Sequence, residues 1–262
     1  MEKVCNKQLK EIINKLTKSN YSIYIFDEIK STNTTLKSMA EQGAKEGCIV
    51  LARKQTEGRG TQGREFFSPL NGLYISMLVK PKIDAKKSVF LTVSTAVAVV
   101  NAIKKVIGIK CGIKWVNDII YNNKKVGGIL TEGGFNNSTN SLDYAVIGVG
   151  INLSVPKGGF PKELEHKAGA LCECNVPYSV YCELIAEIIN NTFKLYKQLD
   201  KKKYIKKYQN VSILKHKDIC YKQNGKTYFA KVIGVDKDAK LVVKENGVKI
   251  KLSAGEVTFY SL

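Results

Sequence analysis

Arginine is nearly absent. Of 42 basic residues in the 262-residue chain, three are arginine, and Arg53, Arg59 and Arg64 fall within twelve positions. The other 39 cations are lysines. Lysine serves as a solvated point charge, whereas arginine offers a planar, two-toothed grip on carboxylate or phosphate. A chain so poor in arginine lacks the residue favoured for base readout along an extended nucleic-acid interface. Histidine is just as scarce. His166 and His216 are too few for a histidine-built metal centre and have no recognisable partners for a Ser-His-Asp or Cys-His nucleophile system. The seven cysteines (5, 48, 111, 172, 174, 182, 220) make an odd count with no CxxC pair, only Cys172-Glu173-Cys174. That pattern argues for reduced thiols in a cytoplasmic protein, against a disulfide framework and against a zinc ribbon. No GxxxxGK[ST] phosphate loop, internal repeat, low-complexity linker or signal peptide is present. The longest apolar stretch, 88–103, is short for a membrane span and is interrupted by Ser, Thr and Asn, so a buried helix is expected there.

What the chain does have is ordinary apolar content, 44%, and a formal charge of +19. This length supports one large domain, or one large and one small, with a sizeable core. The charge favours anionic partners. The lysines are dispersed, however, and read equally well as a solvated coat.

Periodicity outlines the elements. The segment 1–16 is amphipathic, with Leu9, Ile12, Ile13 and Leu16 on one helical face. Residues 21–28 read as a strand, and 31–43 as a helix capped by Ser31 to Asn33 with Gly43 at its exit. Strands are expected at 47–55 and 71–81. In the long helix after Pro81, Val89, Phe90, Val93, Ala96, Val97, Val100 and Ile103 share a face. Short strands around an Asn122-Asn123 turn should fill 112–134, with a buried strand at 143–153. Helical period returns at 177–199 and in the basic stretch KKKYIKKYQ. From about residue 213 the pattern changes to short alternating runs separated by Asn-Gly and Asp-Lys-Asp turns, the signature of a small β-barrel. The expected division is therefore 1–212 and 213–262.

The segment QTEGRGTQGREFF, Gln55 to Phe67, holds two of the three arginines among glycines. Gly58, Gly60 and Gly63 let backbone N–H groups approach an anion closely, and Arg59 and Arg64 can neutralise it. Their spacing matches GxGxxG, yet no helix follows, so a dinucleotide fingerprint is not indicated. Three further pieces carry less weight alone. In KWVND (114–118), hydrogen-bonding groups flank the single tryptophan, which is equally at home in a core. In KKVGGILTEGG, Lys125 precedes a glycine pair. In GVGIN (148–152), small residues allow close approach of a ligand or simply tight packing.

Taken in order, STN at 31–33, QTEGRGTQGREFFSP at 55–69, KWVND, KVGGILTE at 125–132 and GVGIN resemble the biotin protein ligase family. The resemblance covers about 120 residues by these motifs and nearly the whole chain with the C-terminal β-unit. It implies an α+β fold of class II aminoacyl-tRNA synthetase type, a mixed sheet backed by helices, followed by a small SH3-like barrel. It implies ATP-dependent activation of biotin to biotinyl-5′-AMP, aided by Mg²⁺, and transfer to a lysine of a biotin carboxyl carrier domain. By the same resemblance, Ser31, Thr32, Asn33 and Gln55 belong to the site for the ureido head. Gly58, Arg59, Gly60 and Thr61 form a loop closing on biotin and adenylate. Arg64, Phe66 and Asn117 contact nucleotide, with Phe66 near adenine. Lys125 meets the biotin carboxylate and α-phosphate, and Gly128, Gly148 and Asn152 form pocket walls. Lys125 and Arg59 are the expected catalytic pair, and no protein-held metal site is implied.

Two departures stand out: Thr61 occupies a position where the family commonly has arginine, and Val116 one where it has proline. About twenty residues precede the first strand, so a ligase without an operator-binding helix-turn-helix domain is expected, with no membrane partner. A homodimer is left open. The competing readings are a nucleic-acid binder using the basic surface, and a lipoate ligase, whose RRxSGGG-type loop is absent.

Overall fold

The computed structural model describes residues 5–136, 141–223, 225–253 and 257–259. Its first sheet is organised by strands that are apolar on both faces. In β3 (Gly72–Val79) all eight residues are buried, and this strand sits centrally, flanked by β2 (Cys48–Gln55) and β7 (Ser141–Asn152). With β1 (Ser22–Ile29), β4 (Gly112–Lys114), β5 (Asp118–Tyr121) and β6 (Lys124–Asn136), they form seven strands in the order β1-β2-β3-β7-β6-β5-β4. Only β1 and β2 are parallel; every other pair is antiparallel, so the sheet is mixed.

Period-two alternation divides the side chains between two cores. Ile49, Leu51, Leu73, Ile75 and Met77 face a large cluster shared with α1 (Asn6–Leu16), α3 (Val89–Ile107), α4 (Tyr178–Tyr196) and α5 (Lys203–Val211). Cys48, Val50, Leu78 and Val146 point the other way, onto Leu36 and Ala40 of α2 (Thr32–Glu41). The crossover from β1 through α2 to the parallel β2 sets the head of α2 beside the sheet.

The long helix extends four residues beyond the expected apolar stretch and stops at Gly108, whose φ of +83 suits the left-handed exit. It is buried on more than the expected face: Leu91, Ala98, Val99 and Ala102 are buried too. With the turn before it, Ala85–Ile107 is long and apolar enough by composition to cross a bilayer, contrary to the expectation from sequence. Yet 67% of its apolar window is buried in the fold. The Asn122-Asn123 turn joins β5 to β6 with both residues at positive φ (46 and 60), as a two-residue hairpin requires. β6 is longer than expected, at thirteen residues.

The C-terminal strands β8 (Asp218–Gln223), β9 (Lys226–Val235), β10 (Leu241–Glu245), β11 (Val248–Leu252) and β12 (Val257–Phe259) form an antiparallel sheet in the order β11-β10-β9-β8-β12. Asn246 and Gly247 make one expected turn, at φ 46 and 86. In the Asp-Lys-Asp turn, Asp236 Oδ1 accepts from the N–H groups of Asp238 and Lys240. Asn224, of the other Asn-Gly turn, lies outside the described residues. The two sheets meet at Trp115, 5% exposed, whose indole N–H donates to Ala239 O at 2.8 Å.

Candidate functional site

Where β1 ends, Ser31 takes an extended conformation and caps α2, its hydroxyl accepting from Thr34 N at 3.5 Å. The next two side chains are turned inward and buried, Thr32 and Asn33 at 4% exposure each. Polar groups so placed need partners. Gln55 Oε1 accepts from Thr32 N at 2.8 Å and from Thr32 Oγ1 at 3.1 Å. Ser76 of β3, fully buried, lies 2.8 Å from Thr32 Oγ1 and donates to Asn33 Oδ1 at 2.6 Å. Asn33 Nδ2 donates to Glu132 Oε2 at 2.8 Å and, more weakly, to Leu130 O at 3.3 Å. A side chain on Gly148 would lie 2.9 Å from Asn33 Cγ and overlap Oδ1, so only glycine leaves room for this amide.

The glycine-rich loop closes over this polar floor as a narrow hairpin. Phe66 N donates to Gly58 O at 2.9 Å and Gly60 N to Arg64 O at 2.7 Å. The tip turns at Gln62 and Gly63, at φ 58 and 73. Gly58 is packed beneath the carbonyl of Phe66 and the Ser68 hydroxyl, where a methyl group would overlap both. Gln55 Nε2 donates to Ser68 Oγ at 2.9 Å, and Ser68 Oγ donates to Phe66 O at 2.7 Å. The Phe66 ring rests on Gly150, where a Cβ would come within 2.8 Å of it. The two expected cations are both held by carboxylates. Arg59 Nη2 lies 3.2 Å from Glu132 Oε1, and Lys125 Nζ lies 2.6 Å from Asp118 Oδ1 and 6.0 Å from the Phe66 ring centroid.

Two adjoining cavities result. The first is lined by Ser31, Thr32, Asn33, Gln55, Arg59, Gly60, Thr61, Phe66, Asn117, Lys125, Gly128 and Gly148, and holds about 40 Å³. That is room for a few waters, so a larger ligand requires the loop to move. The second, of about 320 Å³, shares Gly60, Thr61, Phe66, Asn117 and Lys125 and adds Arg64, Lys114, Trp115 and Asp118, with Ser253 and Val257 from the C-terminal strands. Asn117 pins the turn between the cavities, its Nδ2 donating to Ile129 O at 2.9 Å. Below this turn the buried Tyr208 donates to Val116 O at 3.0 Å, and burial followed by the nearby Asp118 charge raises its pKa well above the usual phenol range.

Two sequence-based expectations are placed differently. Gly58 and Asn152 line neither cavity. Asn152 Nδ2 instead donates to Gly169 O at 2.9 Å, tying β7 to the loop that follows it. Arg53 is part of the arginine cluster only in sequence. It sits 3.2 Å from Asp27 and contacts Asn6, on the side of the sheet that faces α1. Sequence reading also passed over Ser76, Asp118, Glu132 and Gly150. Asp118 and Glu132 lay inside quoted motifs, but their partners come from other strands and loops.

A family model described as the biotin/lipoate A/B protein ligase family matches residues 25–152. This segment carries the α2 head, the glycine-rich loop, both cations and Gly148. Around this segment, the bifunctional ligase/repressor BirA of Bacillus spizizenii is 40% identical over 150 residues, covering 57% of this chain and 46% of that protein. The biotin–[acetyl-CoA-carboxylase] ligase of Paracoccus denitrificans is 33% identical over 130 residues, covering 47% of this chain and 51% of that one. The chain thus spans about half the length of these relatives. BirA of Escherichia coli is 23% identical over 244 residues, 92% of this chain and 74% of that protein. Among solved structures, the biotin protein ligase of Aquifex aeolicus in complex with biotin and ATP superposes with a TM-score of 0.74 at 23% identity, covering 91% of this chain and 98% of that one. The likeness of fold to that structure therefore extends beyond the matched segment to the C-terminal strands.

Proposed function

We propose that this protein activates biotin with ATP to biotinyl-5′-AMP, releasing pyrophosphate, and transfers the biotinyl group to a lysine of a biotin carboxyl carrier domain, releasing AMP. One observation carries this reading: Arg59 and Lys125, both on the wall of the first cavity, flank a floor of buried, neutral hydrogen-bonding groups. A neutral polar head belongs on the Thr32–Asn33–Gln55 floor, and an anionic tail between the cations. Relatives named as biotin ligases, and structures solved with biotin and ATP, support that choice of ligand.

The chemistry asks for what these residues supply. A carboxylate must approach an α-phosphate, and two anions meet only if their charge is offset. Lys125 lines both cavities, at the point where a carboxylate in the first would face a phosphate in the second. Asp118 holds its ammonium, so the incoming anions replace one carboxylate partner with others. The loop then excludes water from the mixed anhydride until the acceptor lysine arrives. No protein nucleophile is required. A Mg²⁺ ion bound with the nucleotide would offset phosphate charge, and Asp118, beside Lys125 in the second cavity, is the carboxylate that would help hold it.

Residues 1–212 are read as the catalytic unit and 213–262 as a small β-domain that closes the nucleotide side through Ser253 and Val257. The protein is placed in the cytoplasm, where its acceptor is made. The decisive experiment is exchange of labelled pyrophosphate into ATP by the purified protein. Exchange should depend on biotin and fail with lipoate. Exchange without biotin, or none with it, refutes the assignment.

A further inference from the structure

The hydrogen bonds around the first cavity form a circuit that leaves the glycine-rich loop and returns to it. From Arg59 it runs to Glu132, from Glu132 to Asn33, and from Asn33 to Ser76. It continues through Thr32 to Gln55 and Ser68, and ends on the carbonyl of Phe66. Both arms of the hairpin are thereby fastened to the head of α2. Most links are neutral. The charged pair is Arg59, with its side chain 47% exposed, and Glu132, 22% exposed, which carries the circuit's one carboxylate. Its two oxygens face different ways. Oε2 accepts from the floor, and Oε1 holds the loop's guanidinium.

We infer that Glu132 is a latch, a positioning residue that couples occupancy of the polar floor to closure of the loop. It holds Arg59 over a cavity of about 40 Å³, which is too small for a bicyclic acid. Opening requires the Arg59–Glu132 pair to part. A ligand that engages Asn33 re-aims the amide and with it the Glu132 carboxylate, and a ligand anion gives Arg59 an alternative partner. Entry and closure are thus governed by one shared side chain. Only the identity of the ligand rests on the function proposed above; the latch itself rests on the contacts of Glu132 with Arg59 and Asn33.

The scarcity of arginine supplies the test. An arginine-specific protease can cut this chain after three residues. Arg59 and Arg64 sit on the loop, and Arg53 lies within β2 with its side chain 13% exposed. Cleavage after Arg64 relative to Arg53 therefore reports loop opening separately from general unfolding. Without ligand, Glu132→Ala should raise the rate after Arg64 about fivefold, in keeping with a half-exposed ion pair. Glu132→Gln, which keeps an accepting oxygen but no charge, should raise it less. Arg59→Gln should match Glu132→Ala, and the double variant should be no faster than either single one. Unchanged cleavage after Arg64, or an equal rise at Arg53, overturns the latch. Millimolar biotin should protect Arg64 in the unmodified chain and protect it less in Glu132→Ala. If biotin fails to protect while the ligand-free differences persist, the proposed substrate is overturned and the latch stands.

Discussion

Replacing Gly148 with alanine tests the floor of the site most directly. The added methyl would overlap Asn33 Oδ1 and lie 3.1 Å from Nδ2. The amide cannot simply turn aside, because Ser76 holds Oδ1 at 2.6 Å and Glu132 holds Nδ2 at 2.8 Å. Breaking the neutral bond costs about 1 kcal/mol and the charge-assisted one about 1.5–3 kcal/mol, so the substitution should cost roughly 3 kcal/mol. Were that cost borne by the fold, the melting temperature would fall by about 6–12 °C. Were it borne by the ligand site, with the amide displaced and the fold relaxed around it, biotin affinity would fall about 100-fold. Thermal denaturation and equilibrium binding on the same preparation separate the two. A melting temperature within about 1 °C of the parent, together with unaltered biotin affinity, would refute the close packing of Gly148 on Asn33 and the reasoning that follows from it.

Lys125→Ala should abolish biotin-dependent pyrophosphate exchange while lowering stability by no more than about 1 kcal/mol, since the ion pair it leaves is partly solvated; pyrophosphate exchange and chemical denaturation check the two halves. Arg59→Gly should release biotinyl-5′-AMP faster without a matching loss in its synthesis, read by comparing free and bound adenylate. Burial pushes the Cys111 thiol up to about 12, and Cys48 and Cys182 are raised for the same reason. In the folded protein at pH 8, iodoacetamide should therefore modify the exposed Cys5 and Cys174 first, as peptide mass mapping can verify. Burial alone would raise the Asp236 carboxyl, but Lys251 and the N–H groups of Lys240 and Asp238 outweigh it and hold its pKa below the usual range. A depressed folded-state value means stability that is fully present above the unfolded pKa near 4 and lost as pH falls through the folded one. Melting temperatures should drop below about pH 4, and less steeply in Asp236→Asn.

What could be read from sequence follows the range of each interaction. Ser31 as a cap, the Asn122-Asn123 hairpin and the Gly108 stop depend on neighbours a few positions away, although Gly108 lay past the apolar stretch that marked the helix. The glycine-rich loop announced itself because its two arginines stand out against so many lysines. Arg53 is near the loop in sequence but is drawn off by β2 to pair with Asp27. Glu132 and Asp118 could not be singled out. Each gains its meaning from a residue on another strand or loop, and nothing local distinguishes them from other surface carboxylates. Asn152 shows the converse. The family resemblance implied a place in the pocket wall, yet its amide N–H donates to Gly169 O.

The bond from the Trp115 indole to Ala239 makes the wider cavity a seam, with Lys114 to Asp118 on one bank and Ser253 and Val257 on the other. Anything bound there acts as mortar. Nucleotide would raise the melting of both sheets together by mass action, adding to the indole bond, the Gln209 bond to Val235 O, the Lys202–Asp238 pair and the apolar core that already join them. Calorimetric cooperativity, usually treated as a fixed attribute of a fold, would in this chain be set by ATP concentration.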